Sequence, residues 1–174
     1  MTAAAPMVYP TLTERDMLDL LALRYTGNYG NGERWVTADH VRSHAGFDAR
    51  RTADFVAVDT WPSKGLEVHG HEVKVSRSDW LTELRDPSKA DEFRRYMHRW
   101  WLVVSDRGIV RDDLPDGWGL MAPAAGGLRV IKQAPKLTPE PMPRTMTVAL
   151  MRSVHQTSTA RVLRANGILD RWGR

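Results

Sequence analysis

The 174-residue chain contains no cysteine, which removes disulfide frameworks and thiolate zinc centres and fits a reducing compartment, the cytoplasm. It has no apolar run near the ~20 residues that a bilayer-spanning helix needs, so no membrane association is expected. The opening stretch MTAAAPMVYPTLTERD lacks a basic segment followed by an apolar one and does not read as a secretory leader. No internal repeat is found. Acidic residues are scarce in one region: residues 123–174 carry 9 Lys+Arg against 2 Asp+Glu, whereas residues 1–122 carry 16 against 19. The basic excess belongs to the C-terminal third, which suits either a polyanion contact or a solvated basic helix. What is present is otherwise ordinary. Contents of 42% hydrophobic and 26% charged residues are those of a globular protein, and the length suits one domain with an appendage.

The stretch from Arg51 to Asp79 organises the chain. RTADFVAVD and LEVHGHEVKV are rich in β-branched and aromatic residues, and TWPSKG between them carries Pro62 and Gly65 as turn signals. A hairpin centred on Ser63 sets Asp54 opposite Glu72 and Asp59 opposite Glu67. Directly opposed residues share a face with Cβ atoms roughly 4.5–5.5 Å apart. The two-residue strand period brings Lys74 to the face of Glu72, and His69 and His71 to the other. Asp54 stands in an apolar run, so it must be paired, ligated or protonated. Two opposed carboxylates repel unless a cation lies between them, and an all-oxygen site suits a hard divalent ion, Mg²⁺ with Mn²⁺ able to substitute. A neighbouring lysine could orient or deprotonate an attacking water, or steady charge on a phosphate. The chemistry implied is metal-assisted phosphodiester hydrolysis. A purely structural Asp54–Arg51 or Glu72–Lys74 ion pair is the plain alternative. Asp59 and Glu67, beside the turn, are expected to be solvated.

Asp54 followed by Glu72-Val73-Lys74 resembles the motif of the PD-(D/E)XK nuclease superfamily. The longer pattern RTADFVAVD…HEVKVSRSDWL…YMHRWWLVVS is similar to its MmcB-like DNA-repair branch and to proteins of actinobacteria and their phages, over roughly residues 33–105. Ala53 departs from the proline of the family name. The resemblance implies an α/β, restriction-endonuclease-like core, a mixed central sheet flanked by helices in αβββαβ order. It implies Asp54, Glu72 and Lys74 as catalytic residues, with Asp54 and Glu72 holding the metal. A helix before the first acidic strand often adds a carboxylate in this superfamily; Glu33 is the candidate, with Glu14 behind it. The helix after the E-x-K strand commonly lies along the cleft, which would let Arg77 or Lys89 touch the DNA backbone and Ser76 meet a phosphate.

The remaining chain supplies the frame. A helix is expected from Thr11 to Tyr25, capped by Thr11 or Thr13, with Leu12, Met17, Leu20, Leu21 and Leu23 apolar. GNYGNG breaks it, and a second helix is expected from about Glu33 to His44, with Trp35, Val36 and Val41 inward. Ser76 and Ser78 offer caps for a helix over Asp79–Arg85. Asp86-Pro87 restarts a helix whose stripe is Phe93, Tyr96, Met97 and Trp100, with Lys89, Arg94, Arg95 and Arg99 outward. WWLVVSD reads as a buried strand parallel to its predecessor, and Trp100 and Trp101 as core rather than a base-stacking platform. Short strands follow over Gly117–Met121 and Gly127–Ile131. The organisation expected is a nuclease-like domain at 1–132, a Pro-rich linker at 133–143, and a basic helix and tail at 144–174. That helix, with Met146, Ala149, Leu150, Val154 and Val162 as its apolar side, could pack back, pair two copies as a homodimer, or lie along nucleic acid.

Three functions are compatible with these residues: a Mg²⁺-dependent DNA nuclease of repair, recombination or phage DNA metabolism; a catalytically silent nucleic-acid-binding or regulatory protein on the same fold; and an interaction protein whose acidic pair is structural. No helix-turn-helix or zinc-finger pattern reads bases.

Overall fold

The computed structural model describes residues 11–27, 34–44, 51–86 and 88–171. Six strands form one mixed sheet in sequential order: β1 (Trp35–Arg42), β2 (Thr52–Asp59), β3 (Val68–Lys74), β4 (Arg99–Val104), β5 (Gly119–Ala124) and β6 (Gly127–Lys132). β1–β2–β3 and β5–β6 pair antiparallel, whereas β3–β4 and β4–β5 pair parallel. Among the described residues five α-helices complete the order: α1 (Glu14–Ala22) before β1, α2 (Arg77–Leu84) and α3 (Ser88–Arg94) between β3 and β4, and α4 (Arg144–Ala165) and α5 (Ile168–Arg171) at the end. The architecture is the expected α/β one, with αβββαβ order over the first part and a C-terminal helix.

The expected hairpin register is the observed one: Phe55 pairs with His71, Val56 with Gly70 and Val58 with Val68. Alternation then divides the side chains between two cores. One holds Val56, Trp80, Phe93, Met97, Trp100 and Met146 beneath α2, α3 and α4; the other holds Met17, Leu18, Leu21, Phe55, Val73 and Trp101 beneath α1. Trp100 and Trp101 are both core, at 1% and 3% exposure. α1 starts with a reciprocal cap, in which Thr13 Oγ1 accepts from the Asp16 N–H and Asp16 Oδ2 accepts from the Thr13 N–H at 2.7 Å. It ends in a π-helical turn, Leu23–Gly27, that carries Tyr25 inward.

Several local expectations are corrected. The segment expected as a second helix is strand β1: its β-branched Val36, Thr37 and Val41 pair along β2, and that tertiary ladder overrides a weak helical pattern. Glu33 lies outside the described residues. α3 is shorter than its apolar stripe suggested; Tyr96 and Met97 follow it in a turn, and Trp100 already belongs to β4. Asp59 and Glu67 are not solvated. Asp59 is 1% exposed and held by Arg34 at 2.5 Å, and Glu67 binds His69, Arg99 and Lys136. The segment at 133–143 is extended as expected but strapped down: the Leu137 and Glu140 N–H groups donate to His98 O and Arg95 O, each at 2.8 Å, and Ala134 is fully buried. α4 packs on β1, and Val162 is exposed rather than inward.

Gly70 lies under the Trp100 ring, where an added Cβ would overlap the ring's Cζ3 and Cε3. Gly70→Ala should therefore cost about 1–3 kcal/mol through overpacking, read as a lowered urea midpoint. An unchanged midpoint would mean that Trp100 is free to shift.

Candidate metal centre

The ladder between β2 and β3 ends at Phe55–His71. One residue further, the Val73 N–H donates at 2.8 Å to the Asp54 side chain (Oδ2) rather than to backbone. Asp54 thus lies where the two strands part, fixed to β3 by its own carboxylate. On β3, Lys74 Nζ donates to Glu72 Oε1 at 2.5 Å and also reaches Glu83 Oε2 of α2 at 3.3 Å. All three side chains are largely shielded, at 15% exposure for Lys74 and 13% for each glutamate. Ser76 positions α2, its Oγ accepting the Asp79 N–H at 3.2 Å. That cap brings Glu83 back over Lys74.

The other side of Asp54 meets β1. Asp39 pairs with Phe55 and Val41 with Ala53, which brings His40 beside Asp54. His40 has φ +51°, a left-handed conformation that costs a non-glycine residue about 1–2 kcal/mol. This kink breaks the alternation, so that Ala38 and Val41 both reach the same core. Ligand atoms of Glu14, His40 and Asp54 lie within 4.8 Å of one another. Glu14 stands in the first turn of α1, just after the Thr13 cap.

The electrostatics are those of excess buried negative charge. Burial, first, and then the charge of Asp54 raise Glu72 to about 8 despite the adjacent ammonium. Burial likewise raises Asp54 and Glu14 adds to it, against the Val73 N–H and the charges of Lys74 and His40. Lys74 is raised too, because Glu72, Glu83 and Asp54 outweigh the burial that alone would lower it. Lys74 therefore stays an ammonium at neutral pH. It cannot serve as a base there, and of the two roles expected only donation and charge stabilisation remain. A second cation, or a proton on Glu72, relieves the surplus. A set of carboxylate oxygens with one imidazole fits a hard divalent ion, and the imidazole suits Mn²⁺ better than Mg²⁺.

Asp54 thus lies within electrostatic reach of the Glu72–Lys74 pair, whereas the ligand atoms that cluster are those of Glu14, His40 and Asp54, without Glu72. The expected nucleic-acid contacts fare differently. Lys89 lines a cavity of about 220 Å³ with Glu72, Glu83, Arg51 and Trp100, close to the centre. Arg77 instead binds Asp113 at 2.5 Å and donates to Ile109 O, tying α2 to the loop after β4. Ser76 is a helix cap, engaged with the Asp79 N–H and Ser78 Oγ. Arg51 pairs with Asp86 and Glu92, not with Asp54. Sequence reasoning missed Glu83, which sits in a helix whose orientation no pattern announced. It also missed His40. Its place beside Asp54 comes from the pairing of β1 with β2, which the expected helix over this segment excluded.

No family model and no curated protein matches the chain. Among solved structures it is similar to SPO1766, a protein of unknown function from Silicibacter pomeroyi, with a TM-score of 0.59 and 18% identity over 94% of this chain and 96% of that one. At this identity the likeness speaks for the fold alone.

The charge surplus predicts a pH signature in metal-free buffer. Glu72 titrates at about 8 when folded against an ordinary 4.5, so between these values the folded state holds more protons and stability falls as pH rises. Relative to wild type, Glu72→Gln should gain up to about 4 kcal/mol in urea between about pH 5 and about pH 9, at 1.36 kcal/mol per pKa unit. A constant difference across that range would show that Glu72 is not strained.

Proposed function

We propose that this protein is a divalent-metal-dependent nuclease that hydrolyses phosphodiester bonds in DNA. The observation that supports the reading is the meeting of two groups at Asp54, with ligand atoms of Glu14 and His40 within 4.8 Å on one side and the shielded Glu72–Lys74 pair of β3, whose charges act on it, on the other. Burying like charges is costly, and a site that binds a cation and a phosphate gives the arrangement a purpose. The motif's resemblance to PD-(D/E)XK nucleases points the same way.

In this reading Asp54 and Glu72 would hold the ion, with His40 and Glu14 available beside Asp54. When bound, Mg²⁺ or Mn²⁺ supplies charge neutralisation at the phosphate and lowers the pKa of a nearby water. Cation binding must displace the proton from Glu72, so affinity for the ion rises with pH. Lys74 donates hydrogen bonds to the attacking water or to a phosphate oxygen, and its fixed charge stabilises the negative charge that builds as the P–O bond breaks. Glu72 and Glu83 hold the ammonium in place.

One observation favours a silent binding protein: Lys74 is engaged by both Glu72 and Glu83, as in a structural ion-pair network. Substitution separates the two readings. Lys74→Ala and Asp54→Asn should each lower cleavage of linear, flap or junction DNA in Mg²⁺ or Mn²⁺ by about 10²–10⁴-fold while DNA affinity stays within a few-fold. Wild-type protein that cleaves none of these substrates, with either ion, would sink the enzyme and leave the binder.

The imidazole gives a second test. His40→Ala should reduce Mn²⁺-supported activity more than Mg²⁺-supported activity, and should reduce the rise in melting temperature caused by Mn²⁺ more than that caused by Mg²⁺. Equal losses with both ions would remove His40 from the metal set.

A further inference from the structure

The basic C-terminal third has so far no role in the proposed site. Its helix α4 lies along β1, held at one end by Arg161, which donates to Thr37 Oγ1 at 2.8 Å and Asp39 Oδ1 at 2.9 Å. Thr157 Oγ1 accepts the Asp39 N–H at 2.8 Å. The buried row Met146, Ala149, Ser153 and Thr157 is small after its first member, so the helix comes close to the strand. Beyond Thr157, where β1 ends, a cleft of about 200 Å³ opens between the two elements. It is lined by His40, Arg42 and His44 from β1 and its end, and by Arg152, Ser153 and Gln156 from α4.

The chemistry of this cleft is one-sided. Among the described residues no carboxylate lines it. Glu14 and Glu92 touch His40 and His44 from outside, at 3.7 and 3.8 Å. Arg15 and Arg161 on the same edge are both engaged by Asp39, whereas Arg42 and Arg152 make no ion pair or hydrogen bond among the described residues. Ser153 is largely buried as a residue, and its hydroxyl, which has no protein partner among them, keeps contact with solvent at the cleft. Two guanidinium groups without a carboxylate partner, beside a hydroxyl that no protein group engages, are donors without a protein acceptor. Such a set fits a phosphate. His40 belongs both to this cleft and to the cluster with Asp54 and Glu14, so the two sites share a wall.

We propose that this cleft is a phosphate-binding subsite for a DNA strand, in which Arg42 and Arg152 supply the charge and Ser153 a hydroxyl donor, holding a phosphate next to the one presented to the metal centre. The inference rests on the nuclease reading for the identity of the strand, and it makes α4 part of the substrate site rather than an appendage. Phosphate contacts position a strand without reading its sequence, so the subsite sets register and not base preference.

The test measures binding of a fluorescent oligonucleotide to the full chain, in EDTA and in Ca²⁺, over a series of salt concentrations. Arg42→Gln and Arg152→Gln should each weaken binding several-fold, and the double variant about tenfold, with the slope of log K against log[salt] shallower by about 1–2. Arg129→Gln on β6, which removes the same charge at the opposite sheet edge, should change neither beyond a general electrostatic loss. Melting temperatures of all variants should match wild type, since neither arginine of the cleft holds a structural partner. Arg152→Glu, a reversal at an exposed position, should abolish binding at moderate salt. Losses no greater than that of Arg129→Gln, an unchanged slope, or no DNA binding by the wild type would overturn the proposal. The metal reading fails separately: Asp54→Asn that keeps the thermal stabilisation by Mn²⁺ would sink the metal centre, while the salt slopes would still decide the subsite.

Discussion

Everything at the candidate centre follows from where β2 and β3 come apart. Had the ladder continued past Phe55 and His71, the Val73 N–H would have bonded to backbone, and Asp54 would have faced its neighbour as an ordinary cross-strand residue. Instead the Asp54 carboxylate takes that N–H, which anchors a buried charge beside the face of β3 on which Glu72 and Lys74 meet Glu83 of α2. A backbone amide is a weak counterweight to burial, as the raised Asp54 shows. Lys74 cannot neutralise three carboxylates alone. The surplus charge is thus built into the backbone geometry, and no single side chain created it.

The two faces of β3 make the contrast plain. On the face away from Glu72, His71 Nδ1 lies 3.2 Å from Phe55 O and must donate to it, so its Nε2 accepts the Tyr25 hydroxyl at 2.9 Å. His69 reaches the same hydroxyl at 3.1 Å and Glu67 at 3.0 Å. Burial lowers both imidazoles and raises the phenol, and Glu67 opposes the lowering at His69, whose two ring nitrogens are both satisfied only as donors, one to the Tyr25 oxygen and one to Glu67. One strand therefore presents a hydrogen-bonded polar core under α1 and a cluster with surplus negative charge toward α2. The side with the surplus is where chemistry is to be sought.

Much of this was legible in the sequence because strand periodicity is rigid. Once TWPSKG fixed the turn, a period of two placed Asp54, Glu72 and Lys74 together and His69 and His71 opposite, and a one-residue slip would have exposed the whole apolar set. The burial of Trp100 and Trp101 was readable from another signal, the continuous apolar run WWLVV of a strand covered on both faces. β1 was not readable, since its strand character comes from pairing along β2 while its local pattern tolerated a helix. With β1 misread, His40 could not be placed. Its positive φ also defeats any alternation argument, because the kink decides which way the residues after it face. Glu83 was hidden differently: its meeting with Lys74 depends on how α2 leaves β3 at the Ser76 cap, a tertiary angle that no spacing rule reports.

The charge asymmetry of the chain acquires a structural meaning once α4 is seen against β1. Carboxylates concentrate where strands part and would hold a cation; unpaired arginines concentrate at the neighbouring strand end, where they would hold an anion. Like charges gathered within each cluster raise its cost, and the ligand of opposite sign lowers it, so each site is unsettled without its partner. A phosphodiester strand with a divalent ion supplies both at once and at adjacent positions. Asp39, next to His40 on β1, engages Arg15 of α1 and Arg161 of α4, whereas Arg42 and Arg152 have no carboxylate partner among the described residues. The arginines that fasten α1 and α4 to β1 are thus distinct from those that line the cleft.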